Sequence, residues 1–170
     1  MRLLEERGIL SPATATATAA ASAPAAPSLL SQVRDRASDL VLTSMNFIGV
    51  RYQRGGNTEE QGFDCSGFTR YVFENSIGMV LPRRAAEQAA LPGLVSIAQA
   101  DLKPGDLVFF NTMRRAFSHV GIYVGDGKFI HSPRSGEQVR VEDMSISYWA
   151  QRFNGARRAP LASESVRPPQ

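Results

Sequence analysis

The stretch SHVGIYVGDGKFIHS, residues 118–132, limits the possible folds more than any other part of the chain. Two runs of strand-like residues flank Gly125-Asp126-Gly127, which is the pattern of a β-hairpin. Read as a three-residue loop, it pairs Val124 with Lys128. His131 then opposes Gly121, and His119 opposes Pro133. Opposed residues share a face, as do residues two apart on one strand. The only two histidines of the chain therefore become diagonal neighbours on one face. A two-residue loop would put them on opposite faces.

Around this hairpin the period changes. Downstream of a Pro-Gly turn, Leu107–Phe110 is apolar, and QVRVED (138–143) reads as another short strand. Upstream, Leu30, Val33, Ala37, Leu40, Val41 and Ser44 fall at helical spacing, with Ser28 as N-cap. A second helical pattern follows Cys65 through Phe68, Val72 and Phe73 to Gly78, and a short one follows Pro82. Helices first and antiparallel strands after them predict an α+β fold, with the N-terminal helices packed on a central antiparallel sheet. Residues 1–28 end in a run of Ala, Thr, Ser and Pro that cannot bury a core, so they read as disordered or linker-like. One folded domain is expected over 29–158 and a flexible tail over 159–170.

Charge and hydropathy narrow the partners. The net charge is +3, and the basic residues cluster in separate pairs, Arg83-Arg84, Arg114-Arg115 and Arg157-Arg158. Without an interleaved aromatic stripe they give no nucleic-acid signature. No stretch is long and apolar enough for an integral membrane segment. Glu5 and Glu6 interrupt any export signal, so the sequence leaves the compartment open. A monomer is expected.

The single cysteine, Cys65, excludes an intrachain disulfide and a multi-cysteine zinc site. It could pack as a small hydrophobe. It could join His119 and His131 around zinc, although no further ligand is obvious. Or it could be a nucleophile. It stands where a helix begins, in a field that favours the thiolate. One histidine could serve as base and the other orient it. The residues alone leave all three readings open.

The stretches GVRYQRGG, GFDCSGFTRYVF, LPRRAAEQ, LKPGDLVFF, SHVGIYVGDGKFIHS and YWAQRFNGARR together resemble the NlpC-type (NlpC/P60) family of bacterial cell-wall cysteine peptidases. The resemblance implies a papain-like core and hydrolysis of peptidoglycan stem peptides, commonly between D-glutamate and a diamino acid such as meso-diaminopimelate. It implies Cys65 as nucleophile, His119 as base and His131 as its orienting partner. Tyr52 becomes an oxyanion donor, and Asp64 and Ser66 become ligands for the free amine of the substrate. Arg83 reads as structural, and Tyr148 and Trp149 as core. Arg54 stands where the family usually has an aromatic, and Arg84 where it has a capping Thr or Ser. Both are expected to line the substrate groove. No metal or cofactor is expected. An envelope location is implied, while an adaptor or activator protein is left unassigned. The rival functions are acyl transfer or amidase chemistry at the same Cys-His site, and a non-catalytic wall-binding module.

Overall fold

The computed structural model describes residues 28–161. Residues 1–27 of the linker expected over 1–28, and the tail beyond 161, lie outside these residues. The chain starts with α1 (Leu29–Met45), capped by the Ser28 hydroxyl, which accepts from the Ser31 N–H at 3.1 Å. A two-stranded ribbon follows, β1 (Asn57–Thr58) with β2 (Gly62–Phe63), and then α2 (Cys65–Ile77). The short α3 (Ala85–Ala89) leads to β3 (Val95–Ile97), β4 (Leu107–Phe110), β5 (His119–Gly125), β6 (Lys128–His131) and β7 (Arg140–Asp143). A one-turn α4 (Ser147–Ala150) precedes β8 (Phe153–Arg158). The six longer-range strands form one antiparallel sheet in the order β3-β8-β4-β5-β6-β7. The α+β expectation is met, with helices against an antiparallel sheet.

Strand alternation divides the core in two. On one face, Leu107, Phe109, Val120, Ile122 and Ile130 meet Phe68, Val72, Phe73 and Ile77 of α2 and Leu40 of α1. On the other, Val108, Phe110, Phe129 and Ala156 meet Met144 and Trp149. Ala159 and Leu161, read from the sequence as tail, are buried in the helix-side core, so the packed domain extends past 158. Tyr148, expected in the core beside Trp149, is instead exposed, with the Arg152 guanidinium 3.8 Å from its ring centre.

The β5–β6 hairpin differs from expectation in its turn but not in its parity. Ile122 pairs with Ile130 and Tyr123 with Phe129, as the three-residue loop requires. The register then slips by one at a bulge, and Gly125 pairs with Lys128. The turn is the two residues Asp126 and Gly127, with φ of 55° and 73°, the left-handed pair that a type I′ turn needs. The bulge supplies the odd residue that such a turn lacks.

Candidate active site

Cys65 is the first residue of α2, and three local features hold that helix end. The Asp64 carboxylate caps it, accepting from the Gly67 N–H at 2.8 Å. Residue 67 must be glycine because a Cβ there would collide with the Gly56 carbonyl. Gln88, fully buried, donates to the carbonyls of Ser66 at 3.0 Å and Pro82 at 2.9 Å and accepts from the Thr69 hydroxyl at 2.8 Å. It ties the first turn of α2 to the segment before α3.

The sulfur reaches the sheet where β6 has stopped. Sγ lies 4.0 Å from the Ser118 carbonyl oxygen, and the Val120 N–H also points at it. These two groups flank His119 on β5. Extending the register sets His119 opposite Pro133, which has no N–H to continue the ladder, so the thiol occupies the edge a longer β6 would cover.

His119 and His131 share the face that carries Phe129 and Trp149. His119 Nε2 lies 2.7 Å from His131 Nδ1, and their ring centres are 4.9 Å apart. Trp149 stacks on His119 at 5.5 Å, and Phe129 lies 4.5 Å from the His131 ring. Gly121, opposite His131, leaves room for this: a Cβ there would stand 2.8 Å from the Phe129 ring and 3.1 Å from His131 Cβ. Beyond His131 comes a residue that sequence reasoning missed. Glu142 Oε2 is 2.6 Å from His131 Nε2, and the carboxylate also accepts from Arg140 Nε at 3.0 Å and Trp149 Nε1 at 3.1 Å. Only the alternation within Arg140-Val141-Glu142 hinted at it, and its register against β6 was unreadable from sequence.

This arrangement does not suit an open zinc site. Both ring nitrogens of His131 are engaged, one by His119 and one by Glu142, so Cys65, His119 and His131 do not present three converging lone pairs. The protonation states also differ from the thiolate expectation. Burial pushes the Cys65 thiol up to about 11, Asp64 adds to that, and the N–H groups of Val120 and Ser66 only partly oppose it. Burial and then His131 hold His119 well below the ordinary imidazole value of 6.5, with Glu142 pulling upward. Desolvation thus outweighs the field of the helix end, and the resting pair is a neutral thiol and a neutral imidazole.

The remaining expected site residues divide. Tyr52 is half-buried beside the thiol, and burial followed by Cys65 raises its phenol pKa. Asp64 is already engaged: Arg83 grips it with Nη1 on Oδ1 at 3.1 Å and Nη2 on Oδ2 at 2.9 Å, and Gly55 N–H donates to Oδ2 at 3.1 Å. Ser66 is buried and accepts from Arg83 at 3.2 Å. Arg54 is exposed in a cleft of about 350 Å³ shared with Arg51, Gln53, Gly55, Gly56 and Gln61. Arg84 is exposed at the start of α3. With no capping hydroxyl there, the Glu87 carboxylate accepts from the Arg84 N–H at 3.1 Å instead.

Comparison with known proteins decides the family. The model of the NlpC/P60 family matches residues 49–158, which include Tyr52, Cys65, His119, His131 and Glu142. The chain belongs to the NlpC/P60 family. This NlpC/P60 domain is 44% identical over 115 residues to the murein DD-endopeptidase MepH of Escherichia coli K12, covering 67% of this chain and 42% of that protein. It is 43% identical over 120 residues to the γ-DL-glutamyl hydrolase of Bacillus subtilis 168, covering 70% of this chain and 28% of that one. The chain therefore spans less than half the length of these two relatives. A crystal structure of an NlpC/P60 family protein from Bacillus cereus superposes with a TM-score of 0.66 at 35% identity, covering 72% of this chain and 39% of that one. The family is one of cysteine peptidases.

Proposed function

We propose that this NlpC/P60 domain is a cysteine endopeptidase of the cell envelope that hydrolyses peptidoglycan stem peptides at the bond between D-glutamate and a diamino acid such as meso-diaminopimelate. The observation that carries the reading is the sulfur of Cys65 set against the backbone around His119, with His119 Nε2 bound to His131 at 2.7 Å. With Nε2 engaged, Nδ1 of His119 is the nitrogen left to take the thiol proton. The sulfur then adds to the amide carbon, and the Tyr52 hydroxyl and backbone N–H groups at the start of α2 face the oxyanion. His119 returns its proton to the leaving amine, and water cleaves the thioester to release the acid and restore the thiol. Both relatives support peptide hydrolysis by name; the γ-DL-glutamyl hydrolase supports the glutamyl bond, whereas the murein DD-endopeptidase supports a D,D bond.

One observation favours a second reading of the bond. Asp64 already holds Arg83 and two backbone N–H groups, which leaves it less free to receive a substrate ammonium. Cleavage of D,D cross-bridges needs no such amine. Mass spectrometry of sacculus digests, with wild type and Cys65→Ala in parallel, separates the two. Products ending in D-glutamate and present only with wild type are expected. Cross-linked dimers that fall to monomers with the D-glutamate bond intact would install the second reading. Unchanged sacculi and unchanged soluble tripeptide would sink hydrolysis altogether, and acyl groups captured on an added amine would point to acyl transfer.

A further inference from the structure

We infer that Glu142 is a positioning residue that sets the direction of the hydrogen bonds running through His131 to His119, and so which nitrogen of His119 is left for the Cys65 proton. The inference rests on His119 being the base of the proposed reaction. Its starting point is the donor-only character of two neighbours. The Arg140 guanidinium and the Trp149 indole N–H can only donate, and both donate to Glu142, at 3.0 and 3.1 Å. Glu142 is therefore held as an acceptor-only carboxylate.

The polarity then propagates inward. His131 Nε2, 2.6 Å from Oε2, must carry the hydrogen. His131 is fully buried and His119 is 4% exposed, which keeps both rings neutral. A neutral ring carries one hydrogen, so His131 Nδ1 is bare. His119 Nε2, 2.7 Å away, must then donate to it. That leaves His119 Nδ1 bare, able to accept the proton of Cys65. In the opposite sense every bond would still be satisfied between the rings, but His119 Nδ1 would carry the hydrogen and could not act as a base. An acceptor-only group at the end of the chain forbids that arrangement. A polar residue at position 131 can support His119 by contact, whereas Glu142 decides which tautomer it supports.

The test reads the ring nitrogens directly, by ¹⁵N NMR of the imidazoles in wild type, Glu142→Gln and Glu142→Asp. It is paired with the rate of Cys65 alkylation by iodoacetamide, which has one cysteine to modify, and with peptide kinetics. Wild type should show His119 with bare Nδ1 and protonated Nε2. Gln, which can donate as well as accept, should give a mixture of tautomers. Its alkylation rate and kcat should fall about ten- to a hundredfold, the range of a lost charged hydrogen bond, with KM little changed. Asp should keep the single tautomer and recover part of both rates. Protonated Nδ1 on His119 in wild type overturns the inference even if a variant fails to fold. So does a Gln variant with the wild-type tautomer and the wild-type alkylation rate. Wild type that shows the expected tautomers but cleaves no peptide would overturn the peptidase reading and leave this one standing.

Discussion

At rest the proton that Cys65 and His119 exchange sits on sulfur, because burial disfavours both charged forms. This places the acid limb of kcat/KM below pH 6.5, since His119 must be protonated before activity is lost and its pKa is depressed. The charged groups facing the imidazole pair are Glu142, with Arg140 and Glu137 behind it. The Glu142 anion raises the pKa of both histidines, so Glu142→Gln should move the acid limb lower still. A limb above 6.5 in wild type, or an upward shift in the variant, contradicts this electrostatic picture. The two histidines should also respond differently to Asn. His131→Asn keeps a side chain that can accept from the His119 ring and should retain measurable activity. His119→Asn removes the base and should match Cys65→Ala in single-turnover peptide assays.

At the scale of elements, the β5–β6 hairpin shows how much the sequence disclosed and where it stopped. Gly125-Asp126-Gly127 and the alternation on either side were enough to place His119 and His131 on one face. The turn itself was misread, because a two-residue turn plus a bulge has the same parity as a three-residue loop. Deleting Val124, the residue the bulge leaves unpaired, should therefore leave a tight Asp126-Gly127 turn with Tyr123 still opposite Phe129 and Ile122 opposite Ile130. His119 and His131 would stay on one face. Activity well above that of Cys65→Ala is expected. A deletion variant as inactive as Cys65→Ala would show that pairing parity alone does not position the histidines. The β4–β8 junction offers a separate test. Asp106, 1% exposed, accepts from Arg158 Nε and Nη2, both at 2.8 Å. Arg158→Ala leaves that carboxylate buried without its partner, which costs about 3–5 kcal/mol. The loss should be visible in urea denaturation with the slope unchanged.

Across the whole molecule, the parts hidden from sequence reasoning were those fixed by distant neighbours. The segment FNGARR of β8 has no strand-like alternation, yet it lies between β3 and β4, because Ala156 is small enough to bury and Arg157 and Arg158 direct their guanidinium groups to the Ala89 carbonyl and Asp106. Glu142 joins the site only because β7 pairs with β6, which sets it opposite Phe129. The same long-range burial sets a pH profile of stability. The folded protein resists protonating His119 and His131, whereas the unfolded chain accepts protons near 6.5, so stability should fall as pH drops below that value. Burial draws Glu142 upward, but hydrogen bonds from His131 and Trp149 outweigh it and bring its pKa from 4.5 to about 2. Its contribution is present above 4.5 and lost as pH falls toward 2. On the alkaline side the unfolded Cys65 ionises near 9.0 while the folded thiol waits until about 11, so stability should fall again above 9.0. Stability measured by urea midpoint should thus be flat between about 6.5 and 9 in its histidine and cysteine contributions. Cys65→Ala should flatten the alkaline fall and leave the acid one unchanged. A midpoint that rises between pH 7 and 5 would show that the histidines are not held neutral in the fold.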